Sequence, residues 1–278
     1  MIHGRFYALA ASLLQSARCS HPAAERLGKM SLKPIMCVAL LSAIWAPAYA
    51  YRPFDGSDAG TAEPGVFELE FGSSYLHRDK EKSLSAPAVT GNFGFAGDTE
   101  LVLEGRLERQ FGDFSDTRRT SFSDTAFSVK HVFRRGSLQD GSGPSIAAEC
   151  GVLLPTIYGQ SGTGATCNGI VSGRGDAGAV HLNAALTRTR EHTTSRFLGV
   201  ILEGPEAWLV RPVMEIFTER DATEPRTNSI LLGAIWKHSE DLSFDFGVRR
   251  GHSGGRADGE NITELRVGLD WSFHLAGK

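Results

Sequence analysis

The residues of this chain that could do chemistry are charged side chains placed at every second position of apolar runs. Glu68 and Glu70 alternate with Phe67, Leu69 and Phe71, and Glu104, Arg106 and Glu108 share a run with Leu101, Leu103 and Leu107. Arg211, Glu215 and Glu219 alternate in the same way with Val210, Met214 and Ile216. Arg249 ends a run through Leu242, Phe244, Phe246 and Val248, and Arg266 and Asp270 face away from Leu265, Val267, Leu269 and Trp271. Lys130 and His181 occupy comparable positions. Carboxylates and cations on one face can pair across strands or line an aqueous path. Any one of them reads better as part of a salt-bridged or solvated wall than as a selectivity element. As a set they are the candidate pore lining.

Catalytic chemistry has less support. A hydrolase needs a nucleophile, a base and a group that orients the base. His131, His192 and the pair His252-Ser253 fall near strand ends, and none stands in a G-x-S-x-G turn. Gly162-Thr163-Gly164 and Gly254-Gly255 lack the Lys-Ser/Thr ending of a phosphate loop. No catalytic residue, metal site or cofactor is assigned, and no enzyme activity is expected. Cys150 and Cys167 have neither metal-ligand spacing nor a redox motif. They are equidistant from a loop centred near Tyr158 and Gly159, so a hairpin would set them opposite each other. A cross-strand disulfide and two free thiols both fit that placement.

The elements that must position these residues are β-strands. A period of two, with one oily and one polar face, is the strand signature, and it is clearest over Glu264–Phe273 and Asp241–Arg249. The segments run about ten to fourteen residues, longer than most globular strands and matched to a tilted membrane strand. Strands are expected near 66–77, 83–95, 99–110, 121–134, 144–154, 164–173, 177–190, 194–203, 207–219, 227–237, 241–250 and 261–273. The facing of 83–95, 194–203 and 227–237 is ambiguous because they alternate poorly. Hydrophobic content of 41% and a mean hydropathy of −0.16 exclude a helical membrane bundle. They do not exclude a barrel, whose strands spend half their side chains on a polar lumen. The expected fold is therefore all-β, a transmembrane antiparallel up-and-down barrel of about twelve strands spanning 66–273, with 274–278 as a C-terminal tail.

The N-terminal residues read as a targeting segment. Lys33 supplies a positive region, Ile35–Trp45 an apolar run too short to span, and Ala48-Tyr49-Ala50 a small-x-small cleavage site. Residues 1–50 are expected to be an extension plus a secretory signal, with translation starting at Met30 and Cys19 and Cys37 removed. Residues 51–65 are expected to form a periplasmic N-terminal segment that caps the barrel. With that end in the periplasm, the even connections (Ala96-Gly97-Asp98, Arg174-Gly175-Asp176, Gly204-Pro205-Glu206 and His238-Ser239-Glu240) are tight turns. The odd ones, such as Gln110–Thr120 and Arg250–Asn261, are longer, as outer loops are. Arg135–Gly143 breaks this rule. Trp208, Trp236, Trp271 and Phe273 all fall at the periplasmic strand ends, where an interfacial aromatic belt belongs.

Two stretches resemble known outer-membrane proteins. Arg266-Val267-Gly268-Leu269-Asp270-Trp271-Ser272-Phe273 is similar to the terminal-strand signal read by the barrel-assembly machinery, although five residues follow it. Arg52-Pro53-Phe54, Asp58-Ala59-Gly60 and Glu63-Pro64-Gly65, followed by Phe67-Glu68-Leu69-Glu70, resemble the start of an outer-membrane barrel "transporter" family named after the MetA pathway of phenol degradation. That resemblance implies passage of small hydrophobic or aromatic compounds. The expected function is a narrow channel or passive transporter in the outer membrane, acting as a monomer among its lipids on an unidentified small solute. A structural or binding barrel with a filled lumen, and a soluble periplasmic β protein, are the rivals. The near balance of charge (net −3) offers no footprint for nucleic acid.

Overall fold

A computed structural model describes residues 52–79, 81–111, 120–158, 160–255 and 259–275. The expectations for the leader (1–50, with Met30, Cys19, Cys37 and the cleavage site), for most of the loop after residue 111 and for residues 276–278 lie outside the described residues.

Twelve strands follow one another along the chain: β1 (Val66–Arg78), β2 (Glu81–Ala96), β3 (Thr99–Phe111), β4 (Thr120–Arg134), β5 (Ser145–Leu153), β6 (Gly164–Gly175), β7 (Gly178–Arg188), β8 (Thr194–Glu203), β9 (Val210–Asp221), β10 (Thr227–Lys237), β11 (Leu242–Ser253) and β12 (Glu260–His274). Each pairs antiparallel with its sequence neighbours, and β1 pairs with β12, so the sheet closes into a barrel. The bounds agree with the sequence reading to within a few residues. β9 begins at Val210 rather than 207, and His274 belongs to β12 rather than to the tail.

The alternation resolves into an outside and an inside. Leu103, Phe127, Leu182, Leu198, Leu232, Phe246 and Val267 are exposed on the outer wall. An apolar surface this continuous is stable against lipid and not against water. Trp208, Trp236 and Trp271 are also exposed, at the barrel end where β1 begins and β12 ends, together with Phe95 and Phe133. Trp236 stacks on Phe244 with centroids 5.4 Å apart, and Trp271 meets Phe273 at 5.1 Å. Gathering of amphipathic rings at one rim is the arrangement that a membrane boundary favours. Cys150 and Cys167 are cross-strand partners of β5 and β6. They are joined by a disulfide with Cα atoms 4.0 Å apart, and both lie on the outer face, away from the lumen.

Two features depart from expectation. Residues 52–65 do not cap the barrel from below; Ser57, Asp58, Ala59 and Ala62 are buried inside it. Arg135–Gly143, too long for a tight turn, contains a single 3₁₀ turn (Ser137–Gln139) that folds inward. Its Leu138 joins Ala59, Val132, Ala147 and Ile170 in a buried apolar cluster. The extra length lets that turn reach the lumenal segment.

The outer face makes a direct prediction. Leu232, near the middle of β10 and 55% exposed, contacts the hydrocarbon core. Leu232→Arg should destabilise the folded barrel by about 2–4 kcal/mol, read by denaturant unfolding in phospholipid vesicles. An unchanged midpoint would place that face in water.

Candidate functional site

The site is the lumen, and its organiser is the segment 52–65. Gly65, at φ +84°, makes the turn that sends the chain from β1 back into the barrel. Its N–H donates to Gly94 O at 2.8 Å. Gly94 is required here, because a Cβ would overlap the Glu63 carbonyl oxygen. From there the segment follows the inner wall. The Ala62 N–H donates to Glu100 on β3 at 2.6 Å, and Asp58 pairs with Lys130 on β4 at 3.4 Å. The Ala59 N–H donates to Ser172 Oγ on β6, while Gln139 Nε2 donates to Ala59 O at 2.7 Å. On β7, Asn183 accepts from the Ser57 N–H and donates back to Ser57 O, both at 2.8 Å. The Glu215 carboxylate on β9 accepts from the Asp55 and Gly56 N–H groups, one per oxygen, each at 2.8 Å. On β12, Arg266 donates to Pro53 O at 2.7 Å and pairs with Asp55 at 2.9 Å.

Register places every candidate pore residue on the lumenal face, and the structure shows what each meets. Arg266 also pairs with Glu264 at 2.7 Å. Arg249 reaches Glu264 at 3.4 Å, Glu219 at 3.8 Å and Asp55 at 3.9 Å, over the Phe217 ring. Arg106 pairs with Asp124 at 2.7 Å and Glu108 at 3.7 Å. Arg211 and His181 both approach Glu203, at 3.0 and 3.3 Å. Glu70 accepts from Asn92, Glu68 from Ser272 and Asp270 from Ser243. Glu104 lines the open part of the lumen. The lumen is thus a network in which Arg249, Arg266 and Asp55 form one knot and Lys130 with Asp58 another. Arg211, His181 and Glu203 stand apart from both.

Sequence reasoning missed Glu100, Glu149, Glu203, Asp245 and Glu264. All five are acids, and register puts each on the inner face. Their position in the same two-residue period was the available signal. It also missed that the lumen holds apolar side chains. Ile170, Ile201, Phe217, Leu231 and Ile235 point inward and are buried. The lumenal roles of Arg52, Asp55 and Asp58 were not legible, because nothing local placed them inside.

Beyond the segment a cavity of about 580 Å³ is lined by Thr90, Glu104, Arg106, Thr166, Asn168, Thr187, Ser195 and Phe197, with residues 52–58 among its walls. At the loop end a second cavity, about 410 Å³, carries Glu191, Glu219, Asp221 and Glu224 beside Arg78. Among the described residues no group of His, Cys, Asp and Glu is placed to hold a metal ion. His252, at the loop end, meets Asn261 Oδ1 at 3.3 Å and Gly255 O at 3.2 Å. Both partners hold the ring in its own loop.

No protein-family model and no curated relative matches the chain. Among solved structures it is similar to the COG4313 outer membrane channel from Pseudomonas putida F1, with a TM-score of 0.57 at 10% identity, over 79% of this chain and 100% of that one. The chain shares the closed β-barrel fold of that channel. The KdgM porin (TM-score 0.49, 14% identity, 74% of this chain and 99% of that one) and the NanC porin (0.49, 7%, 73% and 98%) are more distant in shape. At these identities the likeness is one of fold.

The Glu215 clamp can be tested alone. Hydrogen bonds to a charged group contribute about 1.5–3 kcal/mol. Glu215→Ala should therefore speed amide hydrogen exchange at Asp55 and Gly56 by about 10–100-fold, with β-strand amides unchanged. Equal exchange in both proteins would show that the segment is not held from β9.

Proposed function

We propose that this barrel is a narrow outer-membrane channel for small hydrophilic solutes, with a preference for cations. The observation that carries the reading is the acid-rich inner wall of a closed membrane barrel. Glu68, Glu70, Glu81, Glu100, Glu104, Glu108, Glu149, Glu203, Glu215, Glu219, Asp221, Asp245, Glu264 and Asp270 face inward from the strands, against Arg78, Arg106, Lys130, Arg174, Arg211, Lys237, Arg249 and Arg266, and the segment adds Asp55 and Asp58 against Arg52. A low-dielectric tube lined by an excess of one sign concentrates the opposite ion. The acidic cavity at the loop end acts in the same direction. Resemblance of the N-terminal motifs to the phenol-pathway family supports the channel reading. The hydroxyl groups of Thr90, Thr166, Thr187 and Ser195 in the larger cavity favour hydrophilic solutes over the aromatic ones that family implies.

The lumenal segment sets the width. It touches walls on β3, β4, β6, β7, β9 and β12, so whatever passes must go beside it. That same observation favours a second reading, a binding barrel that does not conduct. In either reading the barrel works as a monomer in lipid, delivered by the assembly machinery through its β12 signal. Closure leaves no free sheet edge to recruit a second copy.

Planar-bilayer recording separates the two. The channel reading expects small, resolvable steps and a reversal potential displaced toward the cation in a salt gradient. The double change Glu104→Gln, Glu219→Gln should reduce that displacement. Protein shown to be folded by heat-modifiable migration, yet silent in the bilayer, would leave only the binding barrel.

A further inference from the structure

The lumen treats the segment 52–62 as a bound peptide, and mostly through its backbone. Asn183 reads both the N–H and the C=O of Ser57, which is how a neighbouring strand would read it. Glu215 takes two successive N–H groups, Ser172 takes that of Ala59 and Glu100 that of Ala62. Arg266 donates to the Pro53 carbonyl. These contacts go to the main chain, but they leave room only for small residues at two places: a Cβ on Gly56 would lie 3.0 Å from Asn183 and Glu215, and Ala59 is fully buried against Leu138. Main-chain hydrogen bonds supply affinity, and pockets for a few side chains supply specificity, wherever proteins hold extended peptides.

One side-chain pocket is well defined. The Arg52 guanidinium lies across the β1–β12 seam, over Gly72 and Gly268, which are cross-strand partners. A Cβ on Gly72 would overlap the guanidinium carbon, and one on Gly268 would come within 2.6 Å of Nε. Asp245 lies 3.7 Å from that Nε. Asp270, Glu70 and Asp245 are buried around the slot, and Asp270 Oδ1 and both Asp245 oxygens make no hydrogen bond. Buried carboxylate oxygens without donors are costly, and a guanidinium seated deeper than Arg52 could satisfy them. The slot is shaped for a planar cation entering between two glycines.

We propose that the solute class of this lumen is short peptides with a cationic residue at the N-terminal end, and that residues 52–62 occupy the path as an internal mimic. The proposal rests on the channel reading above and narrows its solute. Its affinity need not be high, since a short tether gives the resident segment an effective concentration of about 1 mM or more, which an incoming peptide must match.

The test uses the full-length chain with a protease site inserted between Glu63 and Pro64, both exposed. The barrel is folded first and then cut, so that the segment is held without a covalent link. A fluorescent peptide with the sequence of residues 52–63 is exchanged in, and its anisotropy is followed as competitors are added. A peptide of the same length with Arg first, Gly fifth and Ala eighth, and otherwise unrelated, should displace it within about tenfold of the native sequence. The same peptide with Ala first should be at least about tenfold weaker. The native sequence N-methylated at Gly56, Ser57 and Ala59 should fail. If only the native sequence competes, or the N-methylated peptide competes equally, the wall is specific to its own plug and the proposal falls.

Should the insertion prevent folding, the unmodified chain serves. Arg-first peptide at roughly 1–10 mM, the range of a short tether, should accelerate hydrogen exchange at the Ser57 and Ala59 amides, and the N-methylated peptide should not. No acceleration by any peptide overturns the proposal. Conductance of the cut barrel is read separately, so a silent barrel that still binds peptide removes the channel reading, and a conducting barrel that binds none removes the peptide.

Discussion

Closure of the sheet is the constraint on which everything else in this molecule depends. Hydrocarbon offers no hydrogen bonds, so a membrane sheet cannot keep an edge. The first strand must find the last, and here β1 and β12 pair without interruption from Val66 with His274 to Arg78 with Ile262. Once the tube is closed, every second side chain is trapped inside it. Charges enclosed in this way need partners or water, and the strands do not supply enough of either. Arg266 and Arg249 converge on Asp55, Lys130 on Asp58, and Glu215 on two backbone N–H groups, all from the segment that precedes the barrel. Residues 52–65 are the part of the chain that completes an interior the strands leave unsatisfied.

Much of the barrel was legible, because lipid on one side enforces a strict alternation. β1, β3, β11 and β12 could be read with both their bounds and their facing. Of the three strands whose facing was obscure, β2 has a bulge between Ser85 and Ala88 that shifts its period, while β8 and β10 share another physical reason. In β10 the outward residues Ile230, Leu232 and Trp236 are apolar, but so are the inward Leu231 and Ile235. In β8, Phe197 and Ile201 face the lumen. In these two strands alternation fails because the lumen beside them is packed rather than wet, and an apolar inward residue then looks like an outward one.

The site was less legible than the fold. The pore residues could be named, because they ride on the strands. Their partners could not, since Asp55 meets Glu215 across 160 residues and Pro53 meets Arg266 across 213. The segment has no period of its own, being rich in Asp, Gly and Pro; many of its contacts run from wall side chains to its backbone, and nothing local marks Asp55, Asp58 and Arg52 as the partners of distant charges. Arg135–Gly143 was conspicuous as too long a turn. Its purpose became clear only with Leu138 under Ala59 and Gln139 bonded to the Ala59 carbonyl.

The Arg52 side chain bridges the two strands that lie farthest apart in sequence, resting on Gly72 of one and Gly268 of the other, while the adjoining Pro53 carbonyl is held by Arg266. A thread that crosses the weld cannot be added after the weld is made without passing down the length of the finished tube. Two routes lead to that position: being laid along the wall while the cylinder is still an open trough, or threading down the finished bore. A tethered stretch has both routes open to it, whereas a free peptide has only the second, so the bore must be wide enough beside its own wall to let a chain slide lengthwise.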